Sequence, residues 1–222
     1  SSGRVGLGIA NPGDYFSSYN RVVMGRTNDT GGMTIVSAPT SGGYISFADG
    51  TSGNQAYRGM IAYYHSQDSM VFGTDGGTER LRIDSSGRLI IGHNATYAVA
   101  GHYPALQLSG TTYNGATLGI INNANDATGA YIQLSKQRSG SPAGATIVQN
   151  DDLVGQITFT AADGTDLTSR TAEIKGHVDG APSSNDTPGR LSFWTTPDGA
   201  QSSLERVRIT SLGRVSIGDR TT

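Results

Sequence analysis

One fourteen-residue motif sets the outline of this chain. Glu79-Arg80-Leu81-Arg82-Ile83-Asp84-Ser85-Ser86-Gly87-Arg88-Leu89-Ile90-Ile91-Gly92 recurs as Glu205-Arg206-Val207-Arg208-Ile209-Thr210-Ser211-Leu212-Gly213-Arg214-Val215-Ser216-Ile217-Gly218. Its second half is present a third time at the start, where Ser1 to Gly8 aligns with Ser85 to Gly92 without a gap. A chain that repeats a unit at long spacing is built from modules, each closing on its own copy of that unit.

Each full copy reads as a β-hairpin. Leu81 and Ile83 alternate with Arg80 and Arg82, as Val207 and Ile209 do with Arg206 and Arg208, so apolar and basic side chains fall on opposite faces of a strand. Asp84-Ser85-Ser86-Gly87 and Thr210-Ser211-Leu212-Gly213 form the turns. A short polar side chain bonds the turn backbone, and Gly87 and Gly213 supply positive φ before the chain returns through Leu89 and Ile91, or Val215 and Ile217. The copy at the start has the return strand without the outgoing one. A strand lacking its partner leaves unpaired backbone groups, so the 222 residues are expected to be a piece of a longer protein.

The motif divides the chain into two β modules, 1–92 and 93–222, the second longer. With 32 Gly and 7 Pro, even the uninterrupted stretch Ala200 to Leu212 belongs to a hairpin, which leaves no room for a long helix. Short β-branched and aromatic runs between Gly, Asn, Asp and Ser clusters mark an all-β chain. Leu, Ile, Val and Phe make up 43 of the 222 residues, too few for a self-sufficient core. A net charge of only −2 and apolar residues patterned in alternating strands argue against disorder, so several copies are expected to share one interior. The balanced charge predicts no nucleic-acid partner, and no apolar run is long enough to cross a membrane as a helix. The absence of cysteine excludes disulfides and thiolate chemistry.

In the first module a turn at Asn11 to Asp14 and an aromatic connection from Tyr15 to Tyr19 precede strands at Arg21 to Met24 and Met33 to Val36, reversed through Asn28 to Gly32. Strands at Tyr44 to Phe47, Gly59 to Tyr64 and Ser69 to Phe72 then lead into the hairpin. The second module repeats that order at Gly155 to Phe159, Ala172 to Gly176 and Arg190 to Trp194. Its extra length is read as strands at Ala105 to Leu108, Ala116 to Ile121, Ala130 to Leu134 and Thr146 to Val148. Ser139 to Gly144 and Gly180 to Gly189 are exposed loop tips.

Catalytic and metal chemistry find little support. His65, His93, His102 and His177 lack metal-site spacing, so no metal or other cofactor is expected. Asp49, Asp151, Asp152, Asp163, Asp166 and Glu173 include the carboxylates a glycosidase would need, but nearly all sit beside turn residues. No residue is assigned a catalytic role. Aromatics are better candidates, because a flat apolar face with a polar edge suits stacking on a sugar ring. Tyr97, Tyr103 and Tyr113 in loops, and Trp194, are the expected receptor-binding residues, with a buried or inter-chain packing role the alternative for Trp194 because it directly follows the strand residue Phe193; Tyr63 and Tyr64 have the same chemistry. The repeated arginines Arg80, Arg82, Arg88, Arg206, Arg208 and Arg214, with Glu79 and Glu205, are expected to form ion pairs across strands and between chains.

Thr78 to Gly87 with its Gly-terminated return strand, and the run from Gly189 through Thr196-Pro197-Asp198-Gly199 to Ile209, resemble repeats of tail fibre and tailspike proteins of tailed bacteriophages. The resemblance covers nearly the whole chain. It implies an elongated, intertwined homotrimeric fibre in the virion tail, in contact with other tail proteins and a bacterial surface polysaccharide. Such fibres often end in a self-cleaving chaperone domain, which nothing here resembles. The module fold stays open among an intertwined prism, a β-sandwich and a short β-helix. The expected role is structural and adhesive, without catalysis; a tailspike-type depolymerase and a collar or decoration fibre with no specific receptor are the alternatives.

Overall fold

A computed structural model describes residues 5–9, 22–25 and 30–218. The expected turn at Asn11 to Asp14, the connection Tyr15 to Tyr19, and Asn28 and Asp29 of the expected reversal lie outside them. The chain is all-β and divides into two compact units, 1–94 and 95–222.

The first unit opens with β1 (Val5–Leu7) and β2 (Val22–Met24), which pair in parallel. The severed repeat therefore has a partner for its return strand, although not the outgoing strand of a hairpin. Next come β3 (Gly42–Phe47), β4 (Gly59–Tyr64), β5 (Ser69–Thr74), β6 (Thr78–Ile83) and β7 (Leu89–Ile91), a meander in which successive strands pair antiparallel from β3 to β7. The second unit contains β8 (Leu106–Leu108) and a second meander of β9 (Leu153–Ala161), β10 (Ser169–Val178), β11 (Gly189–Thr195), β12 (Leu204–Ile209) and β13 (Val215–Ile217).

The two meanders share one register. Ile45, Ile61, Phe72, Leu81 and Ile91 stand opposite one another across β3 to β7, and Ile157, Ile174, Phe193, Val207 and Ile217 do so across β9 to β13. Cross-strand partners share a face, so each sheet carries an apolar row from edge to edge. These rows face outward from the single chain: Phe72 is 40% exposed, Ile157 50% and Ile217 83%.

The other faces differ. In the first unit Met60, Ala62 and Val71 form a small buried cluster backed by Tyr64. At the matching positions the second unit has Glu173, Lys175 and Ser192, so one sheet packs apolar side chains where the other builds a polar network.

Both hairpins turn as their sequences predict. Gly87 N–H donates to Asp84 O at 2.8 Å and Gly213 N–H to Thr210 O at 2.9 Å, and the two glycines have φ of 75° and 74°. A Cβ at either would meet nothing within 4 Å, so the backbone angle alone requires glycine. Gly87→Val and Gly213→Val are each expected to destabilise by about 1 to 3 kcal/mol in denaturant titrations, while Gly87→Asn, which tolerates this region, should do less harm.

Four sequence expectations are corrected. Met33 to Val36, Ala116 to Ile121, Ala130 to Leu134 and Thr146 to Val148 form no strands. Alternation can propose a strand, but a strand needs a neighbour to receive its N–H and C=O groups in a ladder, and the described residues offer these segments no ladder, only an isolated bond such as that from Arg138 N–H to Thr146 O at 3.2 Å.

Candidate functional site

The repeated arginines acquire their geometry from a bulge. Phe72 pairs with Leu81 but Gly73 with Glu79, so Arg80 is an extra residue in β6. In a regular strand residues three apart point to opposite faces; the bulge brings Glu79 onto the face of Arg82. Arg82 Nε and Nη2 then donate to the two Glu79 oxygens at 2.7 Å each, and Nη1 donates to Gln67 Oε1 at 2.7 Å and Ser69 Oγ at 2.8 Å. The same bulge at Arg206 lets Arg208 grip Glu205 twice at 2.7 Å. Glu79 holds the Arg82 guanidinium above its ordinary pKa, as Glu205 does for Arg208. The expected ion pairs thus form along one strand rather than across two. The displaced arginines donate to hydroxyls instead, Arg80 to Thr74 Oγ1 at 3.0 Å and Arg206 to Thr195 Oγ1 at 3.1 Å.

The polar face of the second sheet centres on Glu173, which is 2% exposed. Lys175 Nζ lies 2.9 Å from Glu173 Oε2, Ser203 Oγ donates to the same oxygen, and Arg170 Nε stands 3.9 Å from Oε1. Lys175 Nζ also sits 4.0 Å from the centre of the Trp194 ring, whose Nε1–H donates to Ser192 Oγ at 2.8 Å. Trp194 is therefore half-buried, with a cation on its ring and its polar edge engaged. Beside this network Thr168, Ser169, Arg170, Gln201 and Ser202 line an open polar cleft of about 220 Å³. The sequence carried one signal for this cluster: aligned β4 and β10 exchange Met60 and Ala62 for Glu173 and Lys175.

The expected receptor-binding tyrosines occupy different settings. Tyr97 is half-buried; its hydroxyl donates to Ser109 Oγ at 3.0 Å, and its carbonyl accepts from Gln107 Nε2 at 3.3 Å. It walls a shallow hollow with Ala162, Gly164, Thr165, Asp166 and Leu167. Tyr103 is 60% exposed and Tyr113 84%. Tyr113 begins a single helical turn, Tyr113–Ala116, capped by Thr112 Oγ1, which accepts from Gly115 N–H. A Cβ on Gly110 would lie 2.6 Å from the Gly115 carbonyl carbon, so this loop closes backbone against backbone and presents the ring on a pinned turn. Tyr63 donates its hydroxyl to Asp68, and Tyr64 meets Tyr44 edge to face at 5.9 Å.

The six carboxylates considered for hydrolysis all hold local structure. Asp49 pairs with Arg58 at 3.2 Å and Asp151 with Arg190 at 2.7 Å, while Asp166 accepts from Thr168 N–H at 2.8 Å. Arg138 holds Asp152 far below the usual carboxylate range, and the backbone N–H of Thr165 leads the bonds that lower Asp163. Burial pushes Glu173 up, but bonds from Ser203 and Lys175 outweigh it and leave a net downward shift. A general acid needs the opposite shift, so Asp152, Asp163 and Glu173 are poor proton donors at neutral pH. Among the four histidines, His65 Nε2 lies 2.9 Å from Ser37 Oγ and His177 is half-buried. Among the described residues no three His, Cys, Asp or Glu side chains gather as a metal site would need.

No protein-family model and no curated protein matches the chain. Solved structures do. Over 90% of its length the chain is similar in fold to the carboxy-terminal domain of the bacteriophage T5 L-shaped tail fibre, at 14% identity and a TM-score of 0.53, covering 78% of that chain. Compared with the same domain carrying its intramolecular chaperone domain, identity is 11% and the TM-score 0.51, with 62% of that longer chain covered. The chain thus has the all-β fold of a phage tail fibre domain.

Proposed function

We propose that the chain is a structural and adhesive segment of a bacteriophage tail fibre, assembled as an intertwined homotrimer in the virion tail, joined to other tail proteins and attaching to a bacterial surface polysaccharide without cleaving it. The observation that carries this reading is the pair of exposed, register-matched apolar rows. A row of Ile, Phe, Leu and Val spanning a sheet has no reason to meet water twice in one chain, and facing rows of neighbouring copies would shelter it. The fold shared with a tail fibre domain supports the same reading.

Adhesion falls to loops, because the sheets already serve the interior. Tyr103 and Tyr113 offer open rings for stacking, whereas Trp194 is engaged within its own sheet. Three weak sites acting together would hold a repetitive polymer firmly. In solution the chain is expected to have the mass of a trimer, with a melting midpoint that rises with concentration. Adsorption to host cells should fall in a Tyr103→Ala/Tyr113→Ala double variant. Undiminished adsorption would clear these tyrosines, and release of reducing ends from host polysaccharide would favour a depolymerase.

A further inference from the structure

We infer that residues 117–121 and 130–134 become β-strands only in the assembly, where their backbones pair with neighbouring copies of this chain. The inference rests on the shared-interior reading above and adds which segments cross between copies.

The two segments have strand chemistry. Leu118 and Ile120 alternate with Thr117, Gly119 and Ile121, and Ile132 and Leu134 alternate with Tyr131 and Gln133. The loop between them is already shaped as a reversal by its own side chains: Ala124 N–H donates to Asn122 Oδ1 at 2.8 Å, Thr128 N–H to Asp126 Oδ1 at 2.8 Å, and Asn122 Nδ2 to Thr128 O at 3.2 Å. Yet among the described residues no backbone-to-backbone hydrogen bond involves residues 118–136. Leu118 is 63% exposed and Ile132 73%. A run of unpaired N–H and C=O groups flanked by apolar side chains is an open template for another strand.

Where the arm lies identifies the occupant. A Cβ on Gly155 would stand 2.5 Å from Leu134 Cβ, so Leu134 fills the place of the missing side chain. Ile132 and Leu134 line one hollow with Gly155, Ile157, Ile174, Gly176 and Leu191, on the face that carries the apolar row. The first unit repeats the device. Ile35 Cγ2 would stand 3.3 Å from a Cβ on Gly43, the residue that matches Gly155 in register. Because the arm is seated on the face that carries the apolar row, the copies of the chain that would shelter that row would lie beside the arm's unpaired backbone. A receptor segment would have to enter from outside.

Hydrogen exchange on the purified, assembled chain tests this. Amides at Gly119, Ile121, Ile132 and Leu134 should exchange at least about 100-fold more slowly than in an unstructured peptide. Ile121→Pro and Ile132→Pro, each removing one of these donors, should lower the melting temperature of the assembly, whereas Ile121→Val should not. A trimer whose arm amides exchange freely would overturn the inference and leave the proposed function standing. A single folded chain in solution would overturn both.

Discussion

Phe72→Asp is expected to abolish assembly, leaving single chains or aggregates by light scattering where the unaltered protein is expected to give the mass of the proposed trimer. Phe72 stands in the middle of the first apolar row, between Ile61 and Leu81. If the row met water, a carboxylate at a position 40% exposed would change stability by no more than about 0.5 kcal/mol, as most surface substitutions do. If the row lies in a common interior, each chain loses at least about 3 to 5 kcal/mol, the cost of truncating a buried phenylalanine. The carboxylate desolvation comes on top, in every copy. Phe193→Asp should behave alike, because Phe193 holds the same place between Ile174 and Val207. Leu212→Asp is the control: Leu212 is 76% exposed at the hairpin turn, outside either row, and its replacement should leave mass and melting unchanged.

Arg82→Ala is expected to destabilise by about 3 to 5 kcal/mol, the range for breaking a buried ion pair from one side. Arg82 is 8% exposed, and its removal strands Glu79, Gln67 and the buried Ser69 hydroxyl together. Arg82→Lys should recover little, since an ammonium cannot reproduce a two-pronged grip on Glu79 and a third branch toward Gln67 and Ser69. Arg208→Ala should cost less. Arg208 grips Glu205 in the same way, but among the described residues it donates to no further side chain, and its own side chain is 24% exposed. Urea midpoints at one fixed chain concentration would measure both. In the Arg82→Ala/Glu79→Ala double variant the loss should fall short of the summed single losses, because neither charge is left alone.

Much of the fold was legible in local pattern. Strands β3 to β7 and β9 to β13 each hold a short run rich in apolar, β-branched or aromatic residues between turn-forming clusters, and the duplicated motif located both hairpins and their glycines. The bulges were not legible. Whether Arg80 or Arg206 is an extra residue depends on how β6 meets β5, or β12 meets β11, and the strand's own sequence alternates without interruption. The Glu79–Arg82 grip was missed for that reason. Of the candidate binding residues, Tyr103 and Tyr113 are open as expected from their loops, while Trp194 is engaged by Lys175 and Ser192, partners set by β10 and by its own strand.

By itself the sequence determined the all-β class, the positive-φ turns at Gly87 and Gly213, and the apolar positions of both sheets. Each of these depends on residues a few places apart, where backbone sterics and side-chain alternation act directly. Only the tertiary structure decided that Ile45 to Ile91 and Ile157 to Ile217 line up across their sheets, and that the faces behind them are apolar in one unit and charged in the other. It also decided that residues 117–134, for all their alternation, find no strand partner among the described residues of the chain. Pairing is a property of two segments brought together, and the backbone groups of one segment carry no record of which neighbour will satisfy them.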